Sequence, residues 1–308
     1  MVEIVDLVKK YGPKLALDGI SLTVDENEVV GLLGPNGAGK STTMNILTGA
    51  LSSTSGTVRI GGFDILDQPN EAKKLIGFLP EQPPLYAEMT VAEYLNFVYE
   101  LKNCTLDRAR HLDEVMKVTK TADMKDRLIG NLSKGYRQRL GIAQALVGSP
   151  KVIILDEPTI GLDPKQIIEI RSLIRNLGRS HTVIVSTHIL SEVQAVCDRI
   201  VILNSGRIVA DKETEDIANA VERERRFSFT VSGAQKDVLR VLRGVAGVLT
   251  VECTGEHVED AFTYVVTAER GVDVRKPIFY ALARESMPIM KLDAVEAGLE
   301  QVFLSLTE

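Results

Sequence analysis

The sequence predicts an α/β protein with a mainly parallel sheet, followed by a small α+β unit of ferredoxin-like pattern. Three observations predict it. Short apolar runs (Val29–Leu33, Val152–Leu155, Val183–Ser186, Ile200–Leu203) recur between stretches of helical spacing, as buried parallel strands do. A glycine-rich loop follows the first run directly, beginning at Gly34. From residue 226 the order strand, helix, strand, strand, helix, strand sets in.

The elements read as follows. Val2–Lys9 alternates as a strand does, and Ser21–Val24 reads as a second strand after the turn residues Asp18-Gly19. Val29–Leu33 feeds the glycine loop, and residues 41–50 read as a helix. Val58-Arg59-Ile60 before Gly61-Gly62 reads as a strand and turn, and Leu75–Leu79 as a strand stopped by Pro80. Residues 86–148 read as a helical insertion. Its first helix opens on Thr90 and Glu93 in capping-box spacing, with Val91, Tyr94, Leu95, Val98 and Leu101 on one face. Two more helices follow, from about 107 to 120 and after Ser133. Helices near 165–177 and 190–197 separate the later strands, which makes the sheet mainly parallel and covered on both faces. Asn204–Arg207 reads as a hairpin turn. The charged run Glu222–Arg226 reads as a linker, so the domains are expected at 1–222 and 223–308. An amphipathic helix over 297–306 is expected to close the chain.

Composition narrows the classes of function. The 308 residues suffice for one large domain and one smaller one. Hydrophobic residues at 44% and charged residues at 25% are ordinary for a soluble globular protein. The net charge is −6 with both signs interspersed and no basic arm, so no nucleic-acid partner is expected. The 3 cysteines, Cys104, Cys197 and Cys253, show no CxxC spacing, which argues against a disulfide framework or a zinc site and fits a reducing cytoplasm. Met1-Val2-Glu3-Ile4 lacks the basic lead and apolar core of a signal peptide. No run approaches the roughly 20 apolar residues of a membrane span. Any role in membrane transport therefore requires another chain to supply the path.

Two segments carry chemistry. Gly34-Pro35-Asn36-Gly37-Ala38-Gly39-Lys40-Ser41 matches GxxxxGK(S/T) between an expected strand and helix, the setting a phosphate-binding loop requires. Its glycines let successive backbone N–H groups aim at phosphate oxygens, and the helix N-terminus adds partial positive charge. Lys40 would reach the β- and γ-phosphates of a nucleotide, Ser41 would ligate Mg²⁺, and Thr42 would support the phosphates. Val152-Ile153-Ile154-Leu155-Asp156-Glu157 is an apolar strand ending in two acids. Asp156 can hold Mg²⁺ and Glu157 can polarise the attacking water. Alone, this acid pair is a weak signal, since structural acids at strand ends are common. The glycine loop upstream gives it weight.

Leu132-Ser133-Lys134-Gly135-Tyr136-Arg137-Gln138-Arg139 resembles the ABC signature motif, LSGGQ followed by a basic helix start. Together with GPNGAGKST, it makes residues 1–220 similar to ABC transporter nucleotide-binding domains. The resemblance implies a P-loop fold with an antiparallel β subdomain and a helical subdomain. It implies that Gln82 is the glutamine that senses Mg²⁺ and faces the membrane subunit. Asp163 in Gly161-Leu162-Asp163 resembles the D-loop acid, His188 the histidine that meets the γ-phosphate, and Tyr11 the aromatic that stacks on adenine. A tyrosine beside Gly12-Pro13 could also merely pack a turn, and a strand-end histidine could be structural. The resemblance further implies a homodimer in which Ser133 and Gly135 of one copy cover the ATP in the other's P-loop, docked on a permease at the cytoplasmic face. Lys134 and Tyr136 depart from the pattern, where the family has glycine and glutamine.

The LSKGY form and the ending Leu299-Glu300-Gln301-Val302-Phe303-Leu304 resemble type-2 ABC exporter ATPases of the gliding-motility and multidrug group. A methionine-type importer ATPase also carries a small ferredoxin-like C-terminal domain, and is the first rival. A soluble ABC protein of translation or repair would carry two nucleotide domains or a long coiled coil, and this chain has one P-loop and no heptad run. A GTPase would need an N/T-K-x-D motif, which is absent from the sequence.

Overall fold

The structure, a computed structural model, describes residues 1–221, 225–258, 261–269 and 271–295. The helix expected over 297–306 lies outside them, as do residues 222–224 of the expected linker. The chain divides into two compact units, Met1–Thr214 and Glu215–Glu308. This division falls one helix before the boundary expected at 222.

The first unit runs β1 (Val2–Tyr11), β2 (Lys14–Val24), β3 (Val29–Leu33), α1 (Lys40–Leu47), β4 (Ser55–Ile60), β5 (Phe63–Asp64), α2 (Pro69–Lys74) and β6 (Ile76–Leu79). It continues with α3 (Val91–Leu101), α4 (Arg108–Val118), α5 (Lys134–Leu146), β7 (Val152–Asp156), α6 (Pro164–Leu177), β8 (Thr182–Thr187), α7 (Leu190–Val196), β9 (Arg199–Asn204) and β10 (Arg207–Glu213). The helix α8 (Thr214–Val221) follows. β2, β1, β4 and β5 form a four-stranded antiparallel sheet. The central sheet has the order β10-β9-β3-β8-β7-β6, parallel except at β10.

The unbroken apolar runs explain that central sheet. Every residue of β3, β7 and β8 is buried, as expected of strands covered on both faces. Val30, Leu32, Ile154, Ile184 and Val201 share one core with Met44 and Leu47 of α1. Cys197 is buried beside this sheet, and a Cβ on Gly31 would lie 3.0 Å from its Sγ. Cys104 and Cys253 are only partly buried.

Parallel pairing also decides where chemistry can occur. Leu33 pairs with Thr187, and Asp156 with Ser186. The residues that follow each strand, Gly34, Glu157 and His188, therefore leave the sheet at one common edge, where open α/β sheets bind ligands.

The helical insertion follows its sequence signals. Thr90 Oγ1 accepts from Glu93 N at 3.2 Å and Glu93 Oε2 accepts from Thr90 N at 2.8 Å, the reciprocal cap expected of that spacing. Several elements differ from the sequence reading, β2 and α2 among them. β2 begins at Lys14 because its ladder with β1 absorbs the Asp18-Gly19 turn signal through register shifts. α2 was not anticipated; it opens on Pro69 and places Lys73 and Lys74 in its last turn.

The second unit comprises β11 (Arg225–Ser232), α9 (Gln235–Arg243), β12 (Val248–Val258), β13 (Ala261–Ala268), α10 (Arg275–Arg284) and β14 (Ile289–Val295). Its antiparallel sheet has the order β12-β13-β11-β14, the ferredoxin-like arrangement. Phe229, Val231, Tyr264 and Val266 form a core with Val238 of α9 and Ile278 of α10. The Tyr264 hydroxyl is buried and, among the described residues, has no hydrogen-bond partner. Tyr264→Phe is therefore expected to leave stability unchanged or raise it by about 1–3 kcal/mol, the cost of an unsatisfied buried polar group. A melting temperature several degrees lower would contradict that account.

Candidate active site

A cleft of about 520 Å³ opens at the sheet edge, within the size range of small-molecule sites. The glycine loop forms its floor. Gly39 adopts φ 110, and a Cβ there would lie 2.7 Å from Leu17 Cδ2, so this position needs glycine. Among the described residues no side chain caps the start of α1, which leaves the first-turn amides as donors at the cleft. Asn36, Gly37, Gly39, Lys40, Ser41 and Thr42 all line it. Gly34, Pro35 and Ala38 shape the loop behind: Lys40 Nζ donates to Gly34 O at 2.8 Å and Pro35 O at 3.2 Å, and Ala38 N donates to Pro35 O at 3.2 Å. Burial holds the Lys40 ammonium below its usual range, opposed by the charges of Glu157, Asp156 and Glu81.

The acidic wall comes from β7. Glu157 is buried, with its carboxylate 3.8 Å from Lys40 Nζ and 3.1 Å from His188 Nδ1. A carboxylate only accepts, so the hydrogen faces it from Nδ1. Glu157 sits at φ 48, a left-handed conformation that costs a non-glycine residue energy. Ser186 supports it: its Oγ accepts from Glu157 N at 3.0 Å and donates to Asp156 Oδ1. Glu192, also buried, accepts from Thr159 Oγ1 at 2.7 Å and Thr187 Oγ1 at 2.9 Å. It ties the segment after Glu157 to the one before His188.

Tyr11 lines the outer part of the cleft with Lys14, Leu15 and Ala16. Tyr11 is 47% exposed, and Lys9 Nζ lies over its ring, 5.2 Å from the centroid. The sequence reading selected Gln82, but Gln82 is exposed and its neighbour Glu81 lines the cleft instead. Asp156 lies just behind the lining, buried at the end of β7. Ser133, Gly135 and Asp163 do not line this chain's cleft. Ser133 caps α5 by accepting from Tyr136 N, Gly135 is buried beside Gln166, and Asp163 caps α6 by accepting from Gln166 N at 2.9 Å.

Comparison with known proteins decides the family. The family described as ABC transporter matches residues 17–160. The linearmycin resistance ATP-binding protein LnrL of Bacillus subtilis (strain 168) is 31% identical over 315 residues, spanning 100% of this chain and 98% of LnrL. The chain belongs to the ABC transporter ATP-binding proteins. It is an ABC ATPase, the ATP-binding subunit of an ABC transporter. The bacitracin transport ATP-binding protein BcrA of Bacillus licheniformis is 35% identical over 78% of this chain and 78% of its own length. Among solved structures, the dimeric post-hydrolysis state of the ATP-binding cassette MJ0796, bound to ADP and Pi, superposes with a TM-score of 0.63 at 29% identity. It covers 70% of this ABC ATPase and 99% of that chain.

Sequence reasoning missed several residues of this ABC ATPase's cleft: Lys14, Leu15, Ala16, Glu81, Ile160 and Ser205. It also assigned no part to Ser186 or Glu192. Ser186 had a usable signal, a hydroxyl two residues before His188 at the end of an apolar strand. Among the described residues, no helix is long and apolar enough to cross a membrane.

Proposed function

We propose that this ABC ATPase powers export through a separate membrane permease, working at its cytoplasmic face as a homodimer that holds two Mg-ATP. The observation that carries the paired arrangement is the position of Ser133, Gly135 and Asp163. The signature segment and D-loop acid do not line their own chain's cleft, which supports a reading in which a second copy brings them to its phosphate side. The dimeric MJ0796 cassette supports that reading.

The residues take these roles. The amides from Gly34 to Thr42 and the Lys40 ammonium hold the phosphates, and Tyr11 stacks on adenine. Ser41 and Asp156 fit Mg²⁺, which takes oxygen donors and usually only one or two carboxylates beside phosphate and water. When bound, the metal supplies neutralising charge at the β- and γ-phosphates. Gln82 does not fit as a ligand where it stands, and serves instead in the loop that meets the permease. Glu157 orients the attacking water and His188 meets the γ-phosphate. Tyr11→Ala is expected to weaken ATP affinity by about 1–3 kcal/mol, the usual worth of base stacking, with little change in maximal turnover. Lost thermal stability at unchanged affinity would show a packing role instead.

Subunit complementation tests the pairing. Full-length chains carrying Lys40→Ala or Ser133→Arg should each be inactive alone. Mixing them should restore turnover, because one cleft then combines an intact P-loop with the partner's intact signature. No recovery on mixing would overturn the paired site. The names of LnrL and BcrA, a resistance and a transport protein, favour export. With the cognate permease in inside-out vesicles, cargo should accumulate inside on ATP addition; ATP-driven loss from preloaded vesicles would favour import. We take 223–308 as a separate module, so a chain ending at Glu222 should fold and bind ATP. An unfolded truncation would show a shared core.

A further inference from the structure

We propose that Lys134, one of the two residues by which the signature departs from its family pattern, is a positioning residue for the Glu157 of its own chain. The inference rests on the paired reading above and adds a coupling between the two clefts. The Lys134 side chain lies over the backbone of Gly161: a Cβ on Gly161 would collide with its Nζ and lie 3.2 Å from its Cε and 3.8 Å from its Cδ. Gly161 has φ 66, so glycine is favoured there for its conformation. Among the described residues, Lys134 makes no ion pair or hydrogen bond. A cation in the first turn of a helix is electrostatically unfavourable. Lys134 is exposed, and Gly161 is the neighbour its side chain lies against.

Two further contacts continue the line. A Cβ on Gly135 would lie 2.5 Å from Gln166 Cδ, and Arg139, largely buried, forms an ion pair with Glu169. The start of α5 is thus fixed along Gly161 and the first turns of α6. The segment in between is internally bonded, with Ile160 N donating to Glu157 O at 3.2 Å and Leu162 N to Thr159 O at 3.2 Å. A shift of the signature turn therefore moves the backbone that sets Glu157. Through Lys134, the state of the cleft completed by this chain's signature reaches the chain's own cleft.

The test uses full-length protein. Lys134→Ala should lower kcat roughly tenfold at unchanged KM for ATP, within what a small misplacement of a catalytic group costs. Lys134→Arg, which keeps the cover over Gly161, should restore it, and melting temperature should not follow this pattern. Mixed pairs then separate own-chain from cross-subunit action. The control joins a parent chain to a Glu157→Gln chain, leaving one working cleft. Placing Lys134→Ala in the chain that keeps Glu157 should reduce turnover about tenfold below this control. Placing it in the Glu157→Gln chain should leave the control rate. The reverse pattern would overturn the proposal in favour of direct contact with the partner's nucleotide, and loss in both arms or in neither would overturn it outright. Failure of the control chains to pair with ATP would refute the paired reading instead.

Discussion

Glu157→Gln is expected to leave ATP binding intact and slow hydrolysis by roughly 10²–10⁴-fold, the usual worth of a positioned acid–base group. The carboxylate lies 3.1 Å from His188 Nδ1 and 3.8 Å from Lys40 Nζ, inside the cleft. The amide keeps the shape and can still accept from His188, but it loses charge and basicity. The donors that hold phosphate, the α1 amides and Lys40, are untouched. ATP should then persist, and the paired form should accumulate on size-exclusion chromatography with Mg-ATP. Adding Ser133→Arg should abolish that shift, because it puts bulk and charge where the opposing γ-phosphate must fit. Hydrolysis at the parent rate would remove Glu157 from catalysis. An elution volume indifferent to both ATP and Ser133→Arg would sink the sandwich.

Lys40→Met should do the converse, removing binding first. Lys40 is buried and holds its ammonium among the loop carbonyls of Gly34 and Pro35, with Glu157 and Asp156 as the nearest charges. Methionine keeps most of the volume and removes the only cation of the loop. A buried charge facing phosphate is worth about 2–5 kcal/mol when truncated. ATP affinity should therefore fall by roughly 30-fold or more. Calorimetric titration with Mg-ATP checks this directly. A Lys40→Met chain that binds ATP like the parent, and loses only turnover, would confine Lys40 to the transition state.

Much of this site could be read from the sequence because its parts are short contiguous strings. The glycine loop, the Asp156-Glu157 strand end and His188 each announce themselves within a few residues of an apolar run. Their convergence also follows from pattern, since parallel strands deliver their C-terminal ends to one edge. The supporting residues were not legible in the same way. Ser186 and Glu192 matter because they bond to Asp156, Glu157 and Thr159, neighbours brought in by strand pairing and helix packing rather than by spacing. Glu81 and Gln82 differ by one position, and nothing in the local pattern of an irregular loop says which side chain turns inward. The true start of β2 is hidden for a related reason: Gly19 signals a turn, but a bulged ladder carries the strand through it.

The three cysteines give the chain a built-in labelling scheme. Burial pushes the Cys197 thiol up to about 12, so it holds almost no thiolate at neutral pH and will not react with a maleimide while the protein is folded. Cys104 and Cys253 are part-exposed, one in each unit. Either a Cys253→Ser or a Cys104→Ser change thus leaves one accessible thiol. A spin label or dye on it reports on one unit alone, without a cysteine-free background that would disturb the packing of Cys197 against β3.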